Sequence, residues 1–102
     1  MIYADYNATA PLRPEARDAM LMALEIGANP SSVHRAGRSA RRVVETARRQ
    51  LAQAIAALPQ DIVFTSGGTE AIAMTLNGVV RQLDGKCTLL VSAIEHDAVS
   101  RN

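Results

Sequence analysis

Apolar and small residues recur at spacings of three and four over three stretches of this chain and in short continuous runs over two others, and that change of period assigns its elements. Residues 1–12 show neither pattern: polar and apolar residues are mixed, and Pro11 and Pro14 punctuate the segment, so an extended arm is expected rather than a helix. From Pro14 onward, Ala16, Ala19, Met20, Ala23 and Leu24 keep helical spacing. Pro14 suits a first turn and Gly27 a stop, which predicts a short amphipathic helix. Ala28-Asn29-Pro30-Ser31-Ser32 marks a loop, with hydroxyls placed to cap a second helix. The stripe Ala36, Ala40, Val43, Val44, Ala47, Leu51, Ala54, Ile55 and Leu58 predicts that this second, longer amphipathic helix runs over about Ser32–Ala57, with its arginines mostly off the apolar face.

After Pro59 the run Ile62-Val63-Phe64-Thr65 is short, β-branched and aromatic, and ends at Ser66-Gly67-Gly68, as a buried strand entering a tight turn would. Thr69 is placed to cap a third helix carrying Ala71, Met74, Thr75, Gly78 and Val79, which Asp84-Gly85 closes before a second strand at Thr88-Leu89-Leu90-Val91. Strand, helix and strand in about 30 residues make a βαβ unit of a parallel sheet. Such a sheet is covered on both faces and extended sideways, so two strands are too few. A further helix is expected to begin near Ser100-Arg101-Asn102. The pattern is therefore that of an incomplete α/β protein, the opening part of a larger one.

Composition narrows the function classes. With 102 residues there is room for one small domain or part of one. The 48% apolar content includes 18 alanines, so large core side chains are limited. Ten arginines and one lysine face ten acids, and a net charge of +1 argues against a global field for polyanions. The longest stretch without a charged residue, Gln50 to Gln60, has 11 residues, whereas a membrane span needs about 20. The opening residues lack the features of a secretory signal. A single cysteine, Cys87, excludes an internal disulfide framework and a multi-cysteine metal site, and a reducing, cytoplasmic setting is expected.

Two clusters can carry chemistry. In Ser66-Gly67-Gly68-Thr69-Glu70, glycines at a strand-to-helix junction let backbone approach a ligand, free N–H groups open at the helix start, and the Thr69 hydroxyl adds a donor, which suits a phosphate. The pentapeptide is neither a P-loop nor a dinucleotide fingerprint, and a glycine turn capped by Thr69 is the alternative reading. His96 lies just beyond the second strand, on the edge where open parallel sheets bind ligands, and can stack on a flat ring or move protons; a capping histidine is the alternative. His34, following the Asn29-Pro30-Ser31-Ser32 loop, reads as structural. The arginines between Arg35 and Arg49 lack interleaved aromatics, so a solvated face is expected rather than a nucleic-acid surface. Lys86 and Cys87 fall at the start of the second strand, away from the ligand edge.

Tyr3-x-Asp5-x-Asn7-Ala8-Thr9-x-Pro11, then Asn29-Pro30-Ser31-Ser32-x-His34-x-x-Gly37-Arg38, then Phe64-Thr65-Ser66-Gly67-Gly68-Thr69-Glu70, then Glu95-His96 form an ordered series. It resembles the opening quarter of the cysteine desulfurases, pyridoxal 5'-phosphate enzymes related to class V aminotransferases. The resemblance implies a fold-type I, homodimeric enzyme that converts L-cysteine to L-alanine and holds the sulfur as a cysteine persulfide. That sulfur is delivered to acceptor proteins for iron-sulfur cluster assembly. It further implies that Gly67, Gly68 and Thr69 bind the cofactor phosphate, that His96 stacks on the pyridine ring and serves catalysis by assisting proton transfer, and that the Asn29–Ser32 loop lies near the active-site mouth and dimer interface. No metal, nucleic acid or membrane partner is implied. Residues 1–30 would be an amino-terminal arm and short helix, and residues 31–102 the long helix and the beginning of the cofactor-binding large domain.

Departures from the family pattern carry their own expectations. Many relatives follow the Thr-Glu pair with polar residues including Asn, where this chain has Ala71-Ile72-Ala73. The cofactor-anchoring lysine, the aspartate that pairs with the pyridine nitrogen, the substrate-carboxylate arginine and the persulfide cysteine fall in the family beyond the position of residue 102. Neither Lys86 nor Cys87 takes their place. The chain alone is accordingly expected to be inactive and to need the remainder of the enzyme. A related enzyme (a selenocysteine lyase, kynureninase or aminotransferase) and a non-catalytic, partner-binding module are the alternatives.

Overall fold

The computed structural model describes residues 2–101 and contains four α-helices among them: α1 (Pro14–Ile26), α2 (Arg35–Ala54), α3 (Gly68–Gln82) and α4 (Asp97–Ser100), with a 3₁₀ turn at Pro59–Asp61. The chain divides into two compact units, residues 1–62 and 63–102. These are packing units within the chain and leave the expected domain reading, arm plus beginning of a larger domain, as a proposal.

In the first unit the arm is not helical, as expected, but it is not fully extended either. Residues 6–8 form a turn in which the N–H groups of Ala8 and Thr9 both donate to the Asp5 carbonyl. The Tyr3 hydroxyl lies 2.9 Å from the Asp5 carbonyl and 3.0 Å from that of Thr9, and its ring meets Tyr6 edge-on with centroids 5.3 Å apart. Local hydrogen bonds of this kind compete with extended chain. Helix α1 begins at Pro14 and stops at Gly27, whose φ of 53° is the left-handed conformation that glycine adopts without a Cβ penalty. It packs on α2.

Helix α2 starts three residues later than the hydroxyl pattern suggests. Its first turn is capped by His34, whose Nδ1 accepts from the Gly37 N–H at 3.2 Å, rather than by Ser31 or Ser32. Its far end turns on Ala56, with the Ala57 N–H donating back to Ala52 at 2.9 Å and the Ala56 N–H to Gln53 at 3.4 Å. That is the double hydrogen bond of a Schellman stop, made here with alanine at a φ of 54°. Arg48 donates to the Ile62 carbonyl and pairs with Glu45, tying the end of the 3₁₀ turn to the helix. Ala40, Ala52 and Ile62 are the buried apolar residues of this unit.

The second unit departs most from expectation. The strands expected at Ile62–Thr65 and Thr88–Val91 carry no strand pairing among the described residues, so the βαβ unit is not seen there. The surface shows it: Val63, Phe64, Leu89 and Val91 are exposed and Leu90 is 96% so, with no strand among the described residues beside these segments. A parallel pair is stable only inside a wider, covered sheet. Helix α3 forms as expected and ends on Asp84 and Gly85, both with positive φ, the Gly85 N–H donating to Val80 at 2.9 Å. Helix α4 packs against α3, and Ala98 is buried there.

Candidate functional site

Everything in the candidate site belongs to the second unit. At the start of α3, Gly67 is the N-cap residue and makes no side-chain cap, and Thr69 sits inside the first turn, so the expected Thr69 cap is replaced by another device. The Glu70 carboxylate reaches back and accepts from the Ser66 N–H at 2.6 Å and from the Ser66 hydroxyl at 2.7 Å. This is the returning half of a capping box, shifted by one residue. Those two bonds, the hydroxyl's first, hold the Glu70 carboxyl below its ordinary value, against a small opposing effect of burial. Negative charge at a helix start also suits the macrodipole. The Thr65 hydroxyl donates to the Gly67 carbonyl at 3.0 Å and fixes the turn just before the helix.

What this arrangement leaves unused matters more. The first N–H groups of a helix have no partner within it, and the earliest α3 amide that donates back along the chain is Ala71, to Gly67 at 3.1 Å. Gly67 and Gly68 are open: a Cβ built on either meets nothing within 4 Å. The Thr69 hydroxyl makes no hydrogen bond among the described residues.

Thr69 and His96 are brought together. They line one open cleft of about 260 Å³ with Asp97, Ala98 and Arg101. His96 is also the N-cap of α4, its Nδ1 accepting from the Ala98 N–H at 3.0 Å. The capping and functional readings of this histidine therefore coexist: an accepting Nδ1 leaves Nε2 as the proton-carrying nitrogen and fixes the ring plane. Gly67 and Gly68 do not line the cleft itself, and neither do Lys86, which is exposed, and Cys87, which is a half-buried free thiol. Glu70 faces elsewhere, into a groove with Ala73, Met74, Asn77, Gly78 and Arg81.

Sequence reasoning missed Asp97 and Arg101. Their signal was the i, i+4 spacing after His96, which sets an acid and a base on one face of a helix. The Arg101 Nη2 lies 3.1 Å from Asp97 Oδ2.

A hydroxyl, open helix-start amides, an imidazole and a guanidinium are a donor set suited to a phosphorylated aromatic ligand. The profile of the family described as aminotransferase class-V matches residues 2–101. The chain belongs to the class-V aminotransferase family. A cysteine desulfurase of Frankia sp. (strain EuIK1) is 46% identical over 101 residues, covering 97% of this chain and 24% of that protein. The cysteine desulfurase IscS of Dictyoglomus turgidum is 46% identical over 100 residues, covering 96% of this chain and 25% of that protein. A selenocysteine lyase of Bos taurus is 49% identical over 81 residues, covering 78% of this chain and 18% of that protein. The chain thus spans about a quarter, or less, of the length of these class-V relatives. No solved structure gives a significant match. No helix among the described residues is long and apolar enough to cross a membrane.

Proposed function

We propose that this chain supplies part of the cofactor cradle of a pyridoxal-phosphate-dependent cysteine desulfurase, a homodimer that releases L-alanine from L-cysteine and passes the sulfur on as a persulfide to acceptor proteins for iron-sulfur cluster assembly. The observation that carries the reading is the shared cleft of Thr69 and His96 in a chain whose relatives include cysteine desulfurases. In this reading residues 31–102 open the cofactor-binding large domain of a fold-type I enzyme, and the segments around Val63 and Leu90 become strands once the rest of the sheet flanks them.

The residues fit the cofactor by their chemistry. The Thr69 hydroxyl and the amides at the Gly67–Thr69 turn would donate to its phosphate, and the His96 ring, held by its bond to the Ala98 N–H, would stack on its pyridine with its own proton at Nε2. When bound, pyridoxal phosphate supplies the electron sink that lets bonds at the substrate's α- and β-carbons break. This chain's part is to bind, orient and hold a proton at His96.

It is too little to act alone. A helix start contributes about 0.3–1 kcal/mol and a stacked ring about 0.5–1.5, whereas micromolar binding needs about 8. The 102-residue chain by itself is therefore expected to show no turnover.

A second reading, a selenocysteine lyase, is favoured by the bovine relative and its 49% identity. Alanine release from L-cysteine and from L-selenocysteine, measured on the full-length protein that contains these residues, separates the two. Turnover of cysteine with a persulfide formed supports the first, turnover of selenocysteine alone the second, and release from neither overturns both. His96→Ala is expected to lower activity and alter cofactor absorbance more than Arg41→Ala on the exposed face of α2; equal effects would remove His96 from the site.

A further inference from the structure

Among the described residues that line the cleft, Arg101 is the cation and Asp97 the carboxylate. Asp97 is the first residue of α4 and Arg101 its C-cap, so the pair spans the four-residue element and orients the guanidinium along its cleft-facing side. Both side chains are exposed, at 66% and 78%, and an ion pair in water contributes little to stability. A guanidinium carries five N–H donors, and one contact to Asp97 leaves most of them for another acceptor. Thr69, across the same cleft, is the residue assigned above to a phosphate.

We propose that Arg101, tethered by Asp97, is a further binding residue for the phosphate of the cofactor, meeting it from the α4 side of the cleft. The inference rests on the reading of the cleft given above. Planar, paired donors match phosphate oxygens, which makes Arg101 better suited to a phosphate than a lone ammonium would be. Asp97 has a double role. It steers the guanidinium, but its own charge opposes an incoming phosphate, so it competes for the group it positions.

The test compares two probes that differ only in the phosphate, pyridoxal phosphate and pyridoxal. Binding of each to the full-length apoprotein containing residues 1–102 is measured by equilibrium dialysis. Arg101→Gln is expected to weaken pyridoxal phosphate about twofold to fivefold, the range for an exposed ion pair, and to leave pyridoxal unchanged. Arg101→Lys should recover part of the loss. Asp97→Asn, which frees the guanidinium and removes the repelling charge, is expected to tighten pyridoxal phosphate about twofold to threefold. Circular dichroism of each variant checks that the fold is retained.

If Arg101→Gln leaves the two affinities in their original ratio, whether both fall or neither does, Arg101 does not bind the phosphate. Thr69→Val distinguishes that failure from a deeper one. A ratio lowered by Thr69→Val but not by Arg101→Gln overturns this inference alone, and a ratio unmoved by either overturns the reading of the cleft itself.

Discussion

The starts of α2 and α3 are built from similar residues and do opposite things with them. At α2 the polar groups are spent on the chain. Asn29 Oδ1 accepts from the Ser31 N–H at 2.9 Å, His34 caps Gly37, Arg38 donates to the Val33 carbonyl, and Ser32 lies against Gly37. At α3, among the described residues, Glu70 is the side chain that reaches back, and both glycines face open space. A helix start whose donors are closed internally holds a loop in one shape, whereas one whose donors stay open can receive an anion. The sequence motifs at both places are rich in small and polar residues, so residue type alone does not separate the two uses.

Glycine substitution breaks this comparison most sharply. A Cβ on Gly37 would fall 2.3 Å from the Ser32 carbonyl oxygen and 2.7 Å from Ser32 Cβ, contacts that backbone cannot relieve cheaply. Gly37→Ala is expected to destabilise the full-length protein by about 3 kcal/mol or more, by forced displacement of the loop. Gly68→Ala adds its methyl to open space and should leave stability within about 0.5 kcal/mol. Its cost should fall on pyridoxal phosphate affinity instead, because the methyl occupies the approach to the helix start. Chemical denaturation of both variants, with dialysis against pyridoxal phosphate, checks the pair. Equal destabilisation would mean the two helix starts are not different in kind.

His34→Ala is a smaller perturbation of the closed start. It removes the acceptor for the Gly37 N–H, and loss of an N-cap typically costs about 1 kcal/mol. Because His34 belongs to the structural start, the expected signature is a lowered denaturation midpoint with an unchanged ratio of pyridoxal phosphate to pyridoxal affinity. A changed ratio would place His34 in the ligand site.

The range of the interactions involved sets how much of this was legible in the sequence. Helices α1, α2 and α3 were, because Pro14, Gly27 and the periodic stripes act within a few residues, whereas a further helix was expected to begin near residues 100–102 and α4 spans Asp97–Ser100. Thr69 and His96 were expected to meet on the carboxyl-end edge of a parallel sheet; they line one cleft, but no strand among the described residues forms that edge. The strands were expected and are not paired, because a strand is defined by a neighbouring strand and none is formed among the described residues. The capping atoms were misassigned at α2 and α3. Ser32, Thr69, His34 and Glu70 were all chemically able to serve, and only backbone geometry chose His34 and Glu70. Arg101 was overlooked because the recognised motif stops at His96, one helical turn earlier.

The finest feature of the α3 start is electrostatic, and pH reads it. Glu70 is held below its ordinary value by the Ser66 hydroxyl and amide, so folding favours the ionised carboxylate. A carboxyl depressed in the folded state gives a stabilisation that is fully present above its unfolded value and is lost as pH falls through the lowered one. Acidification should therefore loosen the start of α3, whose first turn holds Glu70. The group is exposed, so the effect is local and small, and amide exchange is the suitable readout. After correction for intrinsic exchange, protection at Ser66 should decline in acid. In Glu70→Gln the Ser66 amide keeps an oxygen acceptor without a titrating charge, so its decline should disappear. A Glu70→Gln profile that still tracks the original would show that the carboxylate does not hold the turn.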